Sequence, residues 1–340
     1  MAISRADWAS GIRAIREESD VVRRYALFQE LVTEKKAVET WKDFQSWFRP
    51  FKDAWCFRGL KQSSYALETT IERAVTLDYT SSKWQVRIRR RISELDHERV
   101  VLEKFCGGAH HFLTTTPEDG QIVDWLAMMQ HHGAPTRMLD WTRSPYVALY
   151  FAIEDTSSGD AALWAIDWNW LHLCSRELLE AHHKNYPSTG TPRECAEYID
   201  KVLLTDTTKI PIVISAEPRR LNQRMMAQQG VLLCRLWSEV KFEHSLMDML
   251  INAKEAARQV LSRIRVSRKN RPIFMEELRR MNIHEASLFP GLDGFARSLK
   301  SEIDITMGFA AHEAERSIEK PYKDFDRRND PNLPPIRGHK

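Results

Sequence analysis

The sequence has no long apolar run. The longest, Tyr146 to Ile153, stops far short of the ~18 residues a membrane-spanning helix needs, so no membrane is expected among its partners. It has few cysteines, and Cys56, Cys106, Cys174, Cys195 and Cys234 are scattered with no Cys-x-x-Cys pair. That excludes a clustered zinc site or a disulfide framework and suits free thiols in a reducing compartment. No metal is expected. The first residues lack the apolar stretch of a signal peptide, and a cytoplasmic location is the expectation. Large charge excess is missing too. Fifty basic residues against 47 acidic ones give +3, which argues against a dedicated non-specific nucleic-acid binder but leaves room for a local basic groove. Walker-type loops, Gly-x-Gly-x-x-Gly, His-Glu-x-x-His and Gly-x-Ser-x-Gly are all lacking.

What is present is a globular composition. Of 340 residues, 43% are hydrophobic and 11 are tryptophan, too many aromatics for a disordered chain. Residues 1–50 read as helical, with a core-facing stripe of Trp41, Phe44, Trp47 and Phe48. A short strand is expected at 54–59 and an amphipathic helix at about 82–105. The arginines of that helix at 87 and 89–91 read as a solvated face, Arg90 pairing with Glu94. A second helix, about 121–132, should stop at Gly133 with Pro135 beyond. Ser144 caps a third, Pro145 opens it, and its all-round apolar character predicts burial. Further strands are expected at 161–166, 212–215, 230–235 and 260–266, with a mostly helical excursion over 168–210. These elements predict an α+β fold, a small mixed or antiparallel sheet surrounded by many helices. A helical extension over 1–37 precedes the main domain of 38–306, and 307–340 reads as a polar, proline-bearing tail.

Four segments carry the chemistry. Arg58, closing a strand before Gly59, has a planar fork suited to phosphate or carboxylate. In Gln130-His-His-Gly, His131 and His132 point about 100° apart and form no shared metal face. Either one packs and one caps the helix, or at least one touches a ligand. The pairs His110-His111 and His182-His183 read as structural. In Thr136-Arg137-Met-Leu-Asp140-Trp141-Thr142, the free amides of the helix after Ser144 are expected to face an anion flanked by Arg137 and Arg143. Asp140 would hold an arginine or accept a ribose hydroxyl. In Arg224-Met-Met-Ala-Gln228-Gln229-Gly230, paired amides suit a base or ribose.

Together Trp55-x-Phe-Arg-Gly59, Gln130-His-His-Gly-x-Pro-Thr-Arg-x-Leu-Asp-Trp-Thr142, Ser144-Pro-x-Val-Ala-Leu-Tyr-Phe-Ala152 and Ala227-Gln-x-Gly230 resemble the FRG domain family, with Leu288-Phe-Pro-Gly-Leu-Asp-Gly294 resembling the end of its core. The resemblance spans roughly 38–300 and implies a bacterial or phage accessory or defence role. A weaker resemblance, to ADP-ribosyltransferases of the Arg-Ser-Glu class, implies NAD as substrate. Arg58 would grip its diphosphate and Thr142 or Ser144 orient its ribose. The sequence departs from that class at Gln228-Gln229-Gly230, where a catalytic glutamate is expected. The resemblances thus imply catalytic roles for Arg58, Asp140 and Gln228. They imply ligand contacts from His131, His132, Thr136, Arg137, Trp141, Thr142, Ser144 and Gln229, and a protein or nucleic-acid target. Two other readings remain open: a non-catalytic nucleotide- or partner-binding module, and a metal-dependent nuclease using Glu239-Val-Lys241 with Asp140 or Asp167.

Overall fold

The computed structural model describes residues 4–51, 54–76, 93–205, 209–253, 258–299, 302–303 and 306–307. Three helices come first: α1 (Arg5–Glu17), α2 (Val21–Val32) and α3 (Trp41–Phe48), capped by Ser4, Asp20 and Thr40. Strand β1 (Trp55–Leu60) leads to α4 (Thr70–Thr76), and α5 (Glu94–Ala109) to α6 (Ile122–His131). Strand β2 (Met138–Thr142), α7 (Pro145–Ile153), β3 (Ala161–Asp167), α8 (Trp168–His182) and α9 (Pro192–Leu203) follow. Then come β4 (Val213–Ser215), α10 (Gln223–Ala227), β5 (Gly230–Arg235), α11 (Phe242–Asn252), β6 (Leu261–Val266), α12 (Arg271–Arg280) and α13 (Glu285–Leu288).

The architecture is α+β. The six strands form one open antiparallel sheet in the order β4-β5-β2-β1-β3-β6. Alternation along β1 divides the core, because successive side chains of a strand leave opposite faces. Trp55 and Phe57 join the aromatic cluster of α3, α7 and α12, around Phe44, Trp47, Ala148 and Phe274. Cys56 and Leu60 join the larger cluster on the other face, built with Trp8, Phe28, Trp164 and Leu246. The aromatic stripe of α3 is therefore core: Phe44 is fully buried, and Trp47 meets Phe57 edge-on at 6.0 Å.

All five expected strands are present, and a sixth, β2, occupies the middle of the sheet in a segment to which the sequence reading assigns no element. Of its residues only Asp140 is exposed, so the period-two signal that betrays a half-buried strand is missing. The expected helix at 82–105 begins, within the described residues, at Glu94. Ser93 and Asp96 there form a reciprocal capping box. Its earlier part, Arg90 included, lies outside the described residues, as does nearly all of the expected tail. Helix α6 ends as expected: Gly133 has φ +82°, in the left-handed region that glycine enters without steric cost.

Candidate functional site

The Phe57-Arg58-Gly59 signature is three structural jobs in three consecutive residues. Phe57 fills the aromatic cluster. Gly59 lets the backbone of α7 lie directly on β1: a Cβ there would meet Ala148 O at 2.1 Å and Ala152 N at 2.6 Å. Arg58, between them, leaves the sheet on the face opposite α7. Its guanidinium donates to the backbone oxygen of Asp140 on β2, while its Nε is buried and unpartnered. Among the described residues no carboxylate pairs with it. Burial weakens its hold on the proton, Asp140 partly restores it, and nearby Arg73 adds repulsion.

Strands β1 and β2 pair at one registered position, Phe57 opposite Thr142, so Arg58 reaches across just where the two strands part. On β2, the exposed carboxylate of Asp140 accepts from Gln130 Nε2 at 2.8 Å, and Gln130 Oε1 in turn accepts the hydroxyl of Thr136. His131, next on α6, is half-buried; burial together with His132 and Arg224 lowers its pKa, against the pull of Asp140. At the far end of β2, Thr142 Oγ1 donates to Gln228 O at 2.7 Å and accepts from Ser144 N at 3.0 Å. Arg143 N donates to Gln229 O at 3.0 Å, and Gln228 Nε2 is held by Leu288 O at 3.1 Å. Gln229 has φ +48°, an uncommon conformation for a side-chain-bearing residue, and it turns the chain into β5.

Arg58, Asp140 with Thr142, and the turn 228–230 thus lie on three adjacent strands, β1, β2 and β5. Other expected ligand contacts turn inward. Arg137 is 1% exposed; its guanidinium is locked onto Glu98 of α5 and donates to Leu236 O at 3.0 Å. It cannot flank an anion, and Arg143 lies against the Trp168 ring, 4.9 Å from its centre. Trp141 and Thr136 are buried in the core. The helix N-terminus at Ser144 is also no open anion site. Ser144 Oγ accepts from Val147 N, Thr142 accepts from Ser144 N, and Pro145 has no N–H to offer. The capping residues that mark the helix start in the sequence are the ones that consume its donors. Arg58, leaving β1 on the face opposite α7, does not face this helix end.

Residues 53–161 match the FRG domain family. An FRG domain is matched over these residues. The match includes the Phe-Arg-Gly triplet and the run from Gln130 to Ala152. No curated protein and no solved structure matches the chain. No helix among the described residues is long and apolar enough to cross a membrane.

Sequence reasoning missed Gln130 as a site residue, although it opens the quoted motif, and Arg73, whose sequence context gives no signal. It also missed a cleft of about 1260 Å³, which opens between α6, α9 and the loop before α10. Of the residues expected at the site, only His131 and His132 line it.

Proposed function

We propose that the FRG domain binds the phosphates of a nucleotide through Arg58, and that its chemistry is NAD-dependent ADP-ribosyl transfer in a bacterial or phage defence setting. One observation carries this reading: a half-buried arginine whose Nε is buried and unsatisfied and which has no acid partner among the described residues. Such a group is costly unless an anion completes it. A bidentate phosphate is the ligand its fork fits best.

Bound there, NAD would supply its glycosidic bond: the acceptor's nucleophile bonds to the anomeric carbon, nicotinamide leaves with the electron pair of the broken C–N bond, and the acceptor's proton passes to solvent. Asp140 is the exposed carboxylate of this cluster, and Gln130 holds it in place. It can offset positive charge on the ribose, a duty that Gln228 and Gln229 cannot perform. Thr142 and Gln228 shape the strand ends rather than donate to a ligand, since their polar groups are engaged with each other's chain and with Leu288.

Incubation with NAD labelled in the nicotinamide ring tests the reading. Release of nicotinamide that disappears in Asp140→Asn supports transfer. A nucleotide-induced thermal shift, lost in Arg58→Ala, without any turnover supports instead a non-catalytic binding module. That second reading draws on the same arginine and on the lack of an acid at 228–229. A nuclease centre has less support. Asp167 caps α8 through Trp170 N at 3.0 Å and pairs with Arg258 at 2.5 Å, so it is committed elsewhere.

A further inference from the structure

The cleft between α6 and α9 has no part in the site described so far. Its base is built by two acids from different helices. Asp124 of α6 and Asp200 of α9, both more than nine-tenths buried, share one cation, Arg219, at 2.9 and 2.8 Å. Backbone amides complete the arrangement, Arg219 N onto Asp124 Oδ1 and Val123 N onto Asp200 Oδ1, each at 2.8 Å. The unit therefore carries a net negative charge at the bottom of an open cleft. Each carboxylate retains lone pairs for another donor.

The surroundings narrow the occupant. The lining holds five carboxylates against four cationic side chains, and Arg193 is tied to Glu197 at 2.9 Å. A polyanion such as RNA or DNA needs a cationic surplus that this cleft does not have. A volume of about 1260 Å³ also exceeds the roughly 300–1,000 Å³ typical of small-molecule sites. Met128 and Met225 add adaptable apolar surface, of the kind that accommodates varied side chains. His131 lines the cleft one residue from Gln130, which holds Asp140, so the cleft abuts the FRG site.

We infer that this cleft binds a polypeptide segment that presents a lysine or arginine to the Asp124–Asp200 pair. On the transfer reading given above, and resting on it, that segment is the acceptor; binding itself does not depend on that reading.

The test uses the full chain and fluorescence anisotropy with a labelled peptide of alternating arginine and serine. A glutamate–serine peptide of equal length and a single-stranded oligonucleotide serve as competing probes. The arginine peptide should bind best. Ala196→Trp, which fills the cleft from α9, and Glu217→Lys, which adds an exposed cation at its rim, should each weaken it by about tenfold or more. Arg58→Ala should leave peptide binding unchanged while abolishing any nucleotide-induced thermal shift. Peptide binding without any nucleotide shift in the parent chain would sink the FRG-site reading and leave the cleft standing. Stronger binding of the glutamate peptide or the oligonucleotide, or equal arginine-peptide binding by a folded Ala196→Trp and by Glu217→Lys, would overturn the cleft assignment.

Discussion

Arg137 and Arg58 stand beside neighbouring strands, and burial works against the charge of both, yet their surroundings are opposite. Arg137 enters the core with Glu98, which more than compensates for desolvation and raises its pKa. Arg235 repeats the arrangement with Glu72, at 3.3 Å, and Glu94. Arg58 has one backbone oxygen, a distant carboxylate and a like-charged neighbour. A guanidinium matched by acids of its own chain is an element of the fold, whereas Arg58, with no acid partner among the described residues, is the one proposed above to meet an anion. The two look alike in the sequence, as arginines next to apolar residues.

That contrast can be broken by mutation. The largest effect should come from Glu98→Ala, which strands the Arg137 cation in the core. Urea denaturation should show a loss of about 3–5 kcal/mol, and pairing it with Arg137→Met should restore much of that. A loss under 1 kcal/mol would mean that Arg137 is not held as described. Next comes Gly59→Ala, where the new methyl meets helix backbone and not a yielding side chain. A destabilisation of about 1–3 kcal/mol is expected, read as a fall in Tm. Such a loss would assign the signature glycine to packing; a stable variant with lost ligand binding would assign it to the site.

The pH dependence sharpens the paired side of the comparison. Burial raises the Glu94 carboxyl to about 7, outweighing the pull of Arg235. Its folded pKa lies above the ordinary value, so the folded state holds this proton more tightly. The resulting stability is fully present below about 4.5 and is lost as pH rises through 7. Relative to Glu94→Gln, the parent chain should therefore lose Tm steadily between those values; a flat difference would place the carboxyl in solvent. The smallest change in stability is expected for Arg58→Ala, within about 1 kcal/mol, because no strong partner is forfeited. Nucleotide-induced stabilisation should vanish in the same variant.

How much of this the sequence displays depends on what signals each feature. Caps and stops were legible, as at Ser144-Pro145 and Gly133, because they act over a few neighbouring residues. Five strands were legible from β-branched or apolar runs bounded by turns. Strand β2 was not, since burial on both faces removes its alternation. At the site, Arg58 and Asp140 do come to one place, and the sequence motifs pick them out. The roles of Arg137, Trp141 and Thr136 were illegible, since the acid that claims Arg137 sits 39 residues away on α5. The Asp124–Asp200–Arg219 cluster joins residues separated by up to 95 positions, and none of them belongs to a motif.

The sheet also has a seam. Strands β1 and β2 share one registered position, whereas β1 and β3, and β2 and β5, run alongside each other for most of their lengths. The sheet is in effect two three-stranded ribbons, β4-β5-β2 and β1-β3-β6, and the polypeptide passes between them after β1, β2, β3 and β5. No single backbone scission can release either ribbon. With so few ladder bonds at the seam, the two ribbons are joined there by the shared core under them, by the bond of Arg58 to Asp140 O and by four passages of the chain.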